Sequence, residues 1–321
     1  MSGFRKVVCS SIVPVLSILC AAQAASATEN GGTVWPVGAE SYATAAAVPA
    51  RHKAMFYEYT CYYFANQLVD ANGHNVAPSD FKLRAFAVAG KVAYNWGIKT
   101  PVGELGSYIA SPFVYESVQA GGEKNSRFDA SNQNIVPIDL YNHKGMAYWT
   151  YELQYESKPG GYDATKPVNV GEHYDAFTPG FAITLLPHRG KQNILSRFDY
   201  EFNSHDHATN YHSGNEFFWQ YDAQQEIPGH RMSVGLQGYF YKQTTNDTLH
   251  GVPVVTMNAD GTQSVGYKGR AWDLGPQMTF PMGRHGAMVV KWSHDMLVQN
   301  KPQGNSLWFQ FGLPLPFGKR E

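Results

Sequence analysis

Cysteine is scarce in this chain of 321 residues, which contains 3 in all. Cys9 and Cys20 lie in the first 27 residues, and a chain that loses this stretch keeps Cys61 alone. A single thiol has no partner within its own chain, so an internal disulfide is excluded. The CxxC pairs that mark many zinc and redox sites are also missing from the sequence.

Charge is low as well, because Asp, Glu, Lys and Arg make up 16% of the residues, against about 25% in ordinary soluble proteins. The 25 basic and 26 acidic residues nearly balance, so there is no strong field to attract nucleic acid or an anionic membrane surface. Beyond the first 27 residues, no run approaches the ~20 apolar residues of a membrane-spanning helix. We therefore expect no nucleic-acid partner and no helical membrane span.

Residues 1–27 are predicted to be a secretory signal peptide. Arg5 and Lys6 begin this stretch, 7–19 is mostly apolar, and 25–27 has the small residues of a cleavage site. The apolar run is too short for a membrane anchor. The Gly-, Ala- and Pro-rich residues 28–52 follow as an extended N-terminal segment, and the sequence leaves open whether they plug a barrel or form a periplasmic tail.

The stretch 213–243 carries the clearest structural pattern, with two alternating runs around a short turn at 224–229. Alternation with a period of two is typical of β-strands, whose side chains point to opposite faces. One face is aromatic and apolar while the other carries charges in mid-strand, which is typical of a membrane barrel with lipid outside and water inside. The apolar face carries Phe217, Trp219, Tyr221, Met232, Val234, Leu236 and Phe240, and the polar face carries Glu216, Gln220, Asp222, Arg231, Ser233, Gln237 and Tyr239.

About twelve such segments are predicted along the chain. The connectors between them are alternately long and short, as in outer-membrane barrels with short periplasmic turns and longer extracellular loops. The predicted fold class is therefore all-β: a transmembrane antiparallel up-and-down β-barrel over 53–321, with 119–131 and 299–304 among its long connectors. The segments are 53–65, 82–96, 104–118, 132–140, 145–156, 172–186, 192–204, 215–223, 230–243, 266–280, 286–298 and 305–313.

Motif residues near the centre of the chain point to a known family. They are Ser213, Gly214, Glu216, Gly235, Gln237, Gly238, Tyr239, Tyr241, Gln243, Asp247, Gly275 and Pro276, together with 30–32 and 35–40 near the start. With these motifs the chain resembles the outer-membrane transporter family of the meta-pathway of phenol degradation. The resemblance implies uptake of small, often aromatic or apolar, compounds without defining one substrate. One departure is the end of the chain, where Pro314 and Pro316 are expected to interrupt the last strand and residues 318–321 follow the aromatic Phe317.

The charged residues of the polar faces are expected to point into the lumen. Lys or Arg facing lipid at mid-bilayer costs ~2–4 kcal/mol, which decides the orientation of each strand. Such residues could form a salt-bridged filling or line a permeation path, and their excess of acids disfavours simple anion selectivity. Arg231 is expected at mid-lumen and Val234 on the lipid face. The candidate lumen-lining residues are Glu152, Arg197, Asp199, Glu201, Glu216, Asp222, Arg231, Asp273, Lys291 and Asp295, with Glu58, Lys91 and Asp139 beside them.

Most tryptophans are expected to form girdles at the membrane interfaces. Trp308 is the exception, because it alternates with Leu307 and Phe309 and shares a face with Gln310. We therefore predict that Trp308 points inward.

A histidine-rich stretch, 205–213, raises the alternatives of a metal site and a lipid hydrolase. His212 and Ser213 are adjacent, so on a strand they would point to opposite faces, whereas a nucleophile and its base must lie within hydrogen-bond reach. An exposed loop also suits ordinary solvated His and Asp side chains. We therefore predict no catalytic residue, no metal and no cofactor.

The predicted function is passive uptake of small aromatic or apolar compounds through a bacterial outer-membrane channel. The expected partners are the lipid bilayer, the solute, and the barrel-assembly machinery during insertion. The alternatives are a structural or adhesive barrel whose long loops bind partners and, with less support, a lipid hydrolase built on Ser213.

Overall fold

The computed structural model describes residues 37–40, 44–158, 160–283 and 286–318. The predicted signal peptide, motif positions 30–32 and residues 319–321 lie outside the described residues. Within the described ranges no helix has the length and apolar character needed to cross a membrane. A single helical turn, α1, spans Pro187–Gly190. The strands are β1 (Lys53–Val69), β2 (Lys82–Thr100), β3 (Gly103–Ala120), β4 (Glu123–Ala130), β5 (Gln133–Lys144), β6 (Ala147–Ser157), β7 (Ala176–Leu185), β8 (Gln192–Asn203), β9 (Tyr211–His212), β10 (Glu216–Glu226), β11 (Ser233–Gln243), β12 (Thr248–Leu249), β13 (Val252–Pro253), β14 (Val255–Met257), β15 (Gln263–Val265), β16 (Arg270–Met282), β17 (Gly286–Gln299) and β18 (Lys301–Gly318).

Twelve strands close into an antiparallel barrel, which confirms the predicted fold class. β1 pairs with β2 on one side and with β18 on the other, so the last strand joins the first. Closure pairs the backbone groups of both, as a bilayer requires because its core offers no other hydrogen-bond partner. The order around the barrel is β1, β2, β3, β5, β6, β7, β8, β10, β11, β16, β17 and β18.

β4 was not predicted, and the long connector expected at 119–131 contains this strand. Residues 113–120 of β3 pair with β4, while 104–110 pair with β5. Gly121 and Gly122, both with positive φ, form the turn of the β3–β4 hairpin. Glu123 and Lys124 begin a polar strand that stands beyond the apolar wall, so the lipid-facing alternation that marks the other strands is missing there.

The end of the chain also differs from expectation. The predicted long connector 299–304 is a tight turn at Asn300, which adopts a positive φ of 49° as Asn does more readily than most residues. β18 continues through Pro314 and Pro316 to Gly318, so the predicted interruption is wrong. The facing strand has a register shift between Lys53 and Met55, and such irregularities accommodate proline in a sheet.

The two faces of the wall differ in polarity. The outer face exposes a belt of apolar and aromatic side chains, and Leu236 there is 56% exposed. Trp96, Trp272 and Trp292 are exposed on this side, whereas Trp308 is buried and points inward, as predicted. The turns that follow β2, β5, β7, β10 and β16 lie at the same end as both termini of the barrel chain, and we assign this end to the periplasm. The tight turn between β17 and β18 lies at the opposite end.

Candidate functional site: the barrel lumen

Nine of the ten candidate lumen-lining charges are buried on the inner face of the barrel. Their burial follows from alternation, because each strand turns its apolar residues to the lipid and its polar residues inward. They lie on β6, β8, β10, β16 and β17, on the side of the barrel that runs from β6 to β17. They are Glu152, Arg197, Asp199, Glu201, Glu216, Asp222, Asp273, Lys291 and Asp295.

Two expected inward positions are wrong. Arg231 is exposed and precedes β11, so it lies at the periplasmic mouth and not at mid-lumen. Glu58 lies on the outer face of β1 opposite Phe311, where it accepts a hydrogen bond from Thr60. The sequence of β1 misled us because it has aromatic residues on both faces, so polarity does not distinguish them.

Arg197 is the centre of the largest ion-pair cluster in the lumen. Its NH1 and NH2 groups donate to the two carboxylate oxygens of Glu152, each at 2.9 Å, and its Nε donates to Asp199 at 2.9 Å. Glu152 lies on β6 and Arg197 on β8, so these side chains meet across β7. Gly180 of β7 makes this possible, because a Cβ there would collide with Asp199. One guanidinium group thus links β6 to β8 across the intervening β7, and it also pairs with Glu40 of the N-terminal segment at 3.5 Å.

Further buried hydrogen bonds fill the extracellular half of the lumen. Asp295 accepts from the hydroxyls of Tyr63 and Tyr239 at 2.8 and 2.7 Å. Tyr241 donates to Glu216 at 2.6 Å. The charged residues found by sequence therefore form a network. Of the tyrosines that complete it, Tyr239 was placed on the polar face by its alternation, whereas Tyr63 was missed because β1 has aromatic residues on both faces.

The described part of the N-terminal segment lies inside the barrel. The backbone N–H groups of Gly38 and Glu40 donate to Gln220 Oε1 at 3.0 and 3.2 Å. Lys291 Nζ donates to the carbonyl of Gly38 at 2.5 Å, and Gln310 donates to that of Ala39 at 2.8 Å. Three strands thus hold the main chain of 38–40 at mid-lumen.

Residues 44–51 of the segment lie toward the periplasmic end. Tyr57 donates its hydroxyl hydrogen bond to the carbonyl of Ala47 at 2.5 Å. Nearer the mouth, Asn95 donates to the carbonyl of Pro49 at 3.0 Å. Arg51 pairs with Glu104 at 2.9 Å. The wall therefore holds this part of the segment mainly through polar contacts, most of them to its backbone carbonyl groups.

A cavity of about 590 Å³ lies between this segment and the periplasmic half of the wall. Glu226 and Arg231 lie at its periplasmic end. Its other lining residues include Glu40, Val48, Pro49, Met55, Tyr57, Lys91, Asp139, Tyr141, Glu152 and Val289.

The histidine-rich loop is organised around Asp206. This carboxylate accepts from His173 Nδ1 and the Ala208 N–H, each at 2.7 Å, and from Tyr162 at 3.0 Å. Burial alone would raise the pKa of Asp206, but these hydrogen bonds hold the pKa of the carboxyl below its usual range. Among the described residues, no group of three His, Cys, Asp or Glu side chains could hold a metal ion.

Ser213 and Asp247 belong to a second extracellular cluster. Asp247 accepts from the Gly214 N–H at 2.7 Å and from Gln243 at 2.5 Å. Burial raises the pKa of Asp247 to about 7. Ser213 is buried, and His212 Nε2 lies 3.0 Å from the carbonyl of Asn203. These motif residues connect loops, and their geometry is not that of a nucleophile beside its base.

The remaining motif residues lie on β10, β11 and β16. Glu216, Gln237, Tyr239 and Tyr241 face the lumen. Gly235, Gly238 and Gly275 lie where a Cβ would collide with the backbone of a neighbouring strand, and Pro276 pairs with Leu236. The motif therefore marks a closely packed part of the wall.

Fold and site together define an outer-membrane β-barrel protein with a polar, filled lumen, located in the bacterial outer membrane. The family model described as "Putative MetA-pathway of phenol degradation" matches residues 65–311, and the chain belongs to this family. The resemblance in the sequence motifs is thereby confirmed.

A solved structure shows the same fold. An outer membrane channel from Pseudomonas putida F1 has a TM-score of 0.70 at 13% identity, covering 88% of this chain and 100% of that one. A FadL homologue from Pseudomonas aeruginosa (TM-score 0.36, 8% identity, 91% and 96% covered) and the CymD monoaromatic hydrocarbon channel (TM-score 0.38, 8% identity, 85% and 90% covered) are too distant to carry an argument. The comparison with curated proteins found no match.

Proposed function

We propose that this protein is a channel through which small aromatic or apolar compounds cross the outer membrane passively. The cavity beside the N-terminal segment carries the proposal, because tyrosine rings and apolar side chains surround a space at the periplasmic mouth. Small-molecule sites usually combine such a lining with a few polar groups. The family description, which refers to phenol degradation, supports the same class of solute.

Passage requires the N-terminal segment to move, because its main chain occupies mid-lumen. It is held there largely by hydrogen bonds to backbone groups, each with a net worth of about 0.5–3 kcal/mol. Such contacts can exchange with water or a solute more readily than an apolar core can open. Export through residues 1–27, insertion by the barrel-assembly machinery and the lack of enzymatic activity belong to the same proposal.

Solute entry into proteoliposomes tests the function. The purified full-length protein is compared with empty liposomes for entry of toluene, benzoate and a sugar of similar size. We expect toluene to enter faster than the sugar through the protein. Equal entry of all three would contradict selectivity and indicate a general pore.

A structural or adhesive barrel is the second candidate, and the filled lumen favours it. It predicts that folded protein in the bilayer admits none of the three solutes. A lipid hydrolase has no comparable support, because Ser213 is buried and its neighbour His212 contacts a backbone carbonyl.

A further inference from the structure

We propose that the 590 Å³ cavity is a binding site for an uncharged aromatic molecule that carries a hydroxyl group. This inference rests on the proposed function and specifies its solute and its site. The volume falls within the ~300–1,000 Å³ of small-molecule pockets.

The apolar part of the site fits an aromatic ring. Val48 and Pro49 of the N-terminal segment form one wall, and Met55 and Val289 of β1 and β17 contribute to the wall of the barrel. The rings of Tyr57 and Tyr141 add flat surfaces on which a ring can pack in an offset or edge-to-face arrangement. One wall therefore belongs to the N-terminal segment and the other to the barrel.

Asp139 supplies the polar recognition. Its side chain lines the cavity and is 5% exposed, and its Oδ1 makes no hydrogen bond in the described part of the structure. A buried acceptor without a partner is costly, and a hydroxyl donor would remove that cost. Asp139 faces Gly106 across the β3–β5 pair, and the ring of Tyr141 occupies the space that a Cβ at Gly106 would need. The acceptor is thus placed beside an aromatic surface.

Lys91 and the carboxylates determine the charge of the ligand. The Lys91 ammonium lies 3.7 Å from the centre of the Tyr108 ring and 5.5 Å from that of Tyr57. It makes no ion pair within 4.0 Å among the described residues. The carboxylates of Glu40 and Glu152 line the same cavity but are paired with Arg197. In the lining of the cavity the acids Glu40, Asp139, Glu152 and Glu226 outnumber the bases Lys91 and Arg231. An aromatic acid would add to this excess of negative charge, so an uncharged hydroxyl compound is preferred.

Fluorine NMR on the purified full-length protein in detergent tests this site. The probes are 4-fluorophenol, 4-fluorotoluene and 4-fluorobenzoate, each corrected for partition into empty micelles. We expect wild-type protein to bind 4-fluorophenol at least about tenfold more tightly than the other two. Asp139→Leu should weaken binding of 4-fluorophenol about tenfold and change that of 4-fluorotoluene less than about twofold.

Two further variants distinguish a loss of binding at the site from a general folding defect. Glu116→Leu removes another inward carboxylate, on β3 beyond the cavity, and should leave all three affinities unchanged. Val48→Trp fills the cavity from the N-terminal segment and should abolish binding of both neutral probes. Each variant is first checked for the heat-modifiable band of a folded barrel.

Several results would overturn the proposal. These are equal binding of fluorobenzoate and fluorophenol, an equal loss of both neutral probes in Asp139→Leu, or unchanged binding in Val48→Trp. The outcome is separable from that of the transport assay. Binding without flux would refute the channel and keep the site, whereas flux without binding would refute the site and keep the channel.

Discussion

Replacing Gln220 with leucine should release the N-terminal segment from the lumen. Gln220 Oε1 accepts two hydrogen bonds, from the N–H groups of Gly38 and Glu40 at 3.0 and 3.2 Å. Leucine has a similar size but no acceptor, so both N–H groups lose their partner. At a net ~0.5–1.5 kcal/mol per bond, the bound position loses about 1–3 kcal/mol, which raises the released population about 5- to 150-fold.

Gln277→Leu is the matched control for this change. Both glutamines are 1% exposed and point inward, but Gln277 donates to Asp222 and not to the segment. It should therefore disturb the lumen without releasing the segment.

Single-channel recording in planar bilayers measures the effect. We expect Gln220→Leu to open at least about fivefold more often than wild type or Gln277→Leu, with the open-state conductance of a variant lacking 37–51. Equal opening frequencies for the two leucine variants would refute the idea that contacts to 38–40 close the channel.

Four further predictions concern stability. Arg197→Met leaves Glu152 and Asp199 without their buried cation and should cost about 3–5 kcal/mol in urea unfolding from micelles; a loss below about 1 kcal/mol would contradict the ion-pair account. Glu58→Leu removes a carboxylate from the lipid face and should stabilise the barrel by about 1 kcal/mol in the same assay, since acids there cost less than the ~2–4 kcal/mol of Lys. Val234→Lys places a charge on that face and should lower the folded fraction in vesicles, seen as loss of the heat-modifiable band; full folding would refute the register of β11. The native pKa of Asp206 is lowered, so its contribution to stability is complete above the unfolded pKa of ~3.9 and is lost as the pH falls through the native value. Protection factors of the amides of 204–215, corrected for the intrinsic exchange rate at each pH, should therefore be lower in acid than at neutral pH, and Asp206→Asn should remove this dependence.

Much of the barrel wall was predictable because the alternation of apolar and polar residues can be recognised within each strand separately. Each of the twelve predicted segments corresponds to a barrel strand, and Val234 and Leu236 face outward as their alternation indicates. The misses occur where that signal is weak. Because β1 has aromatic residues on both faces, its sequence does not show which way Glu58 points. β4 has polar residues on both faces, so it lacks the alternation by which the other strands were recognised. Arg231 alternates with the apolar residues as a lumen-facing residue would, but β11 begins two residues later, at Ser233.

The sequence by itself determined a membrane barrel, because period-two alternation and the cost of charges in lipid act on each strand separately. Only the tertiary structure decided what fills that barrel. Gly38 meets Gln220 and Lys291 across 182 and 253 positions of the chain, and Glu152 meets Arg197 across a strand with glycine between them. These contacts exist because closure brings distant strands to a common axis, and no local pattern records which inward side chains then meet.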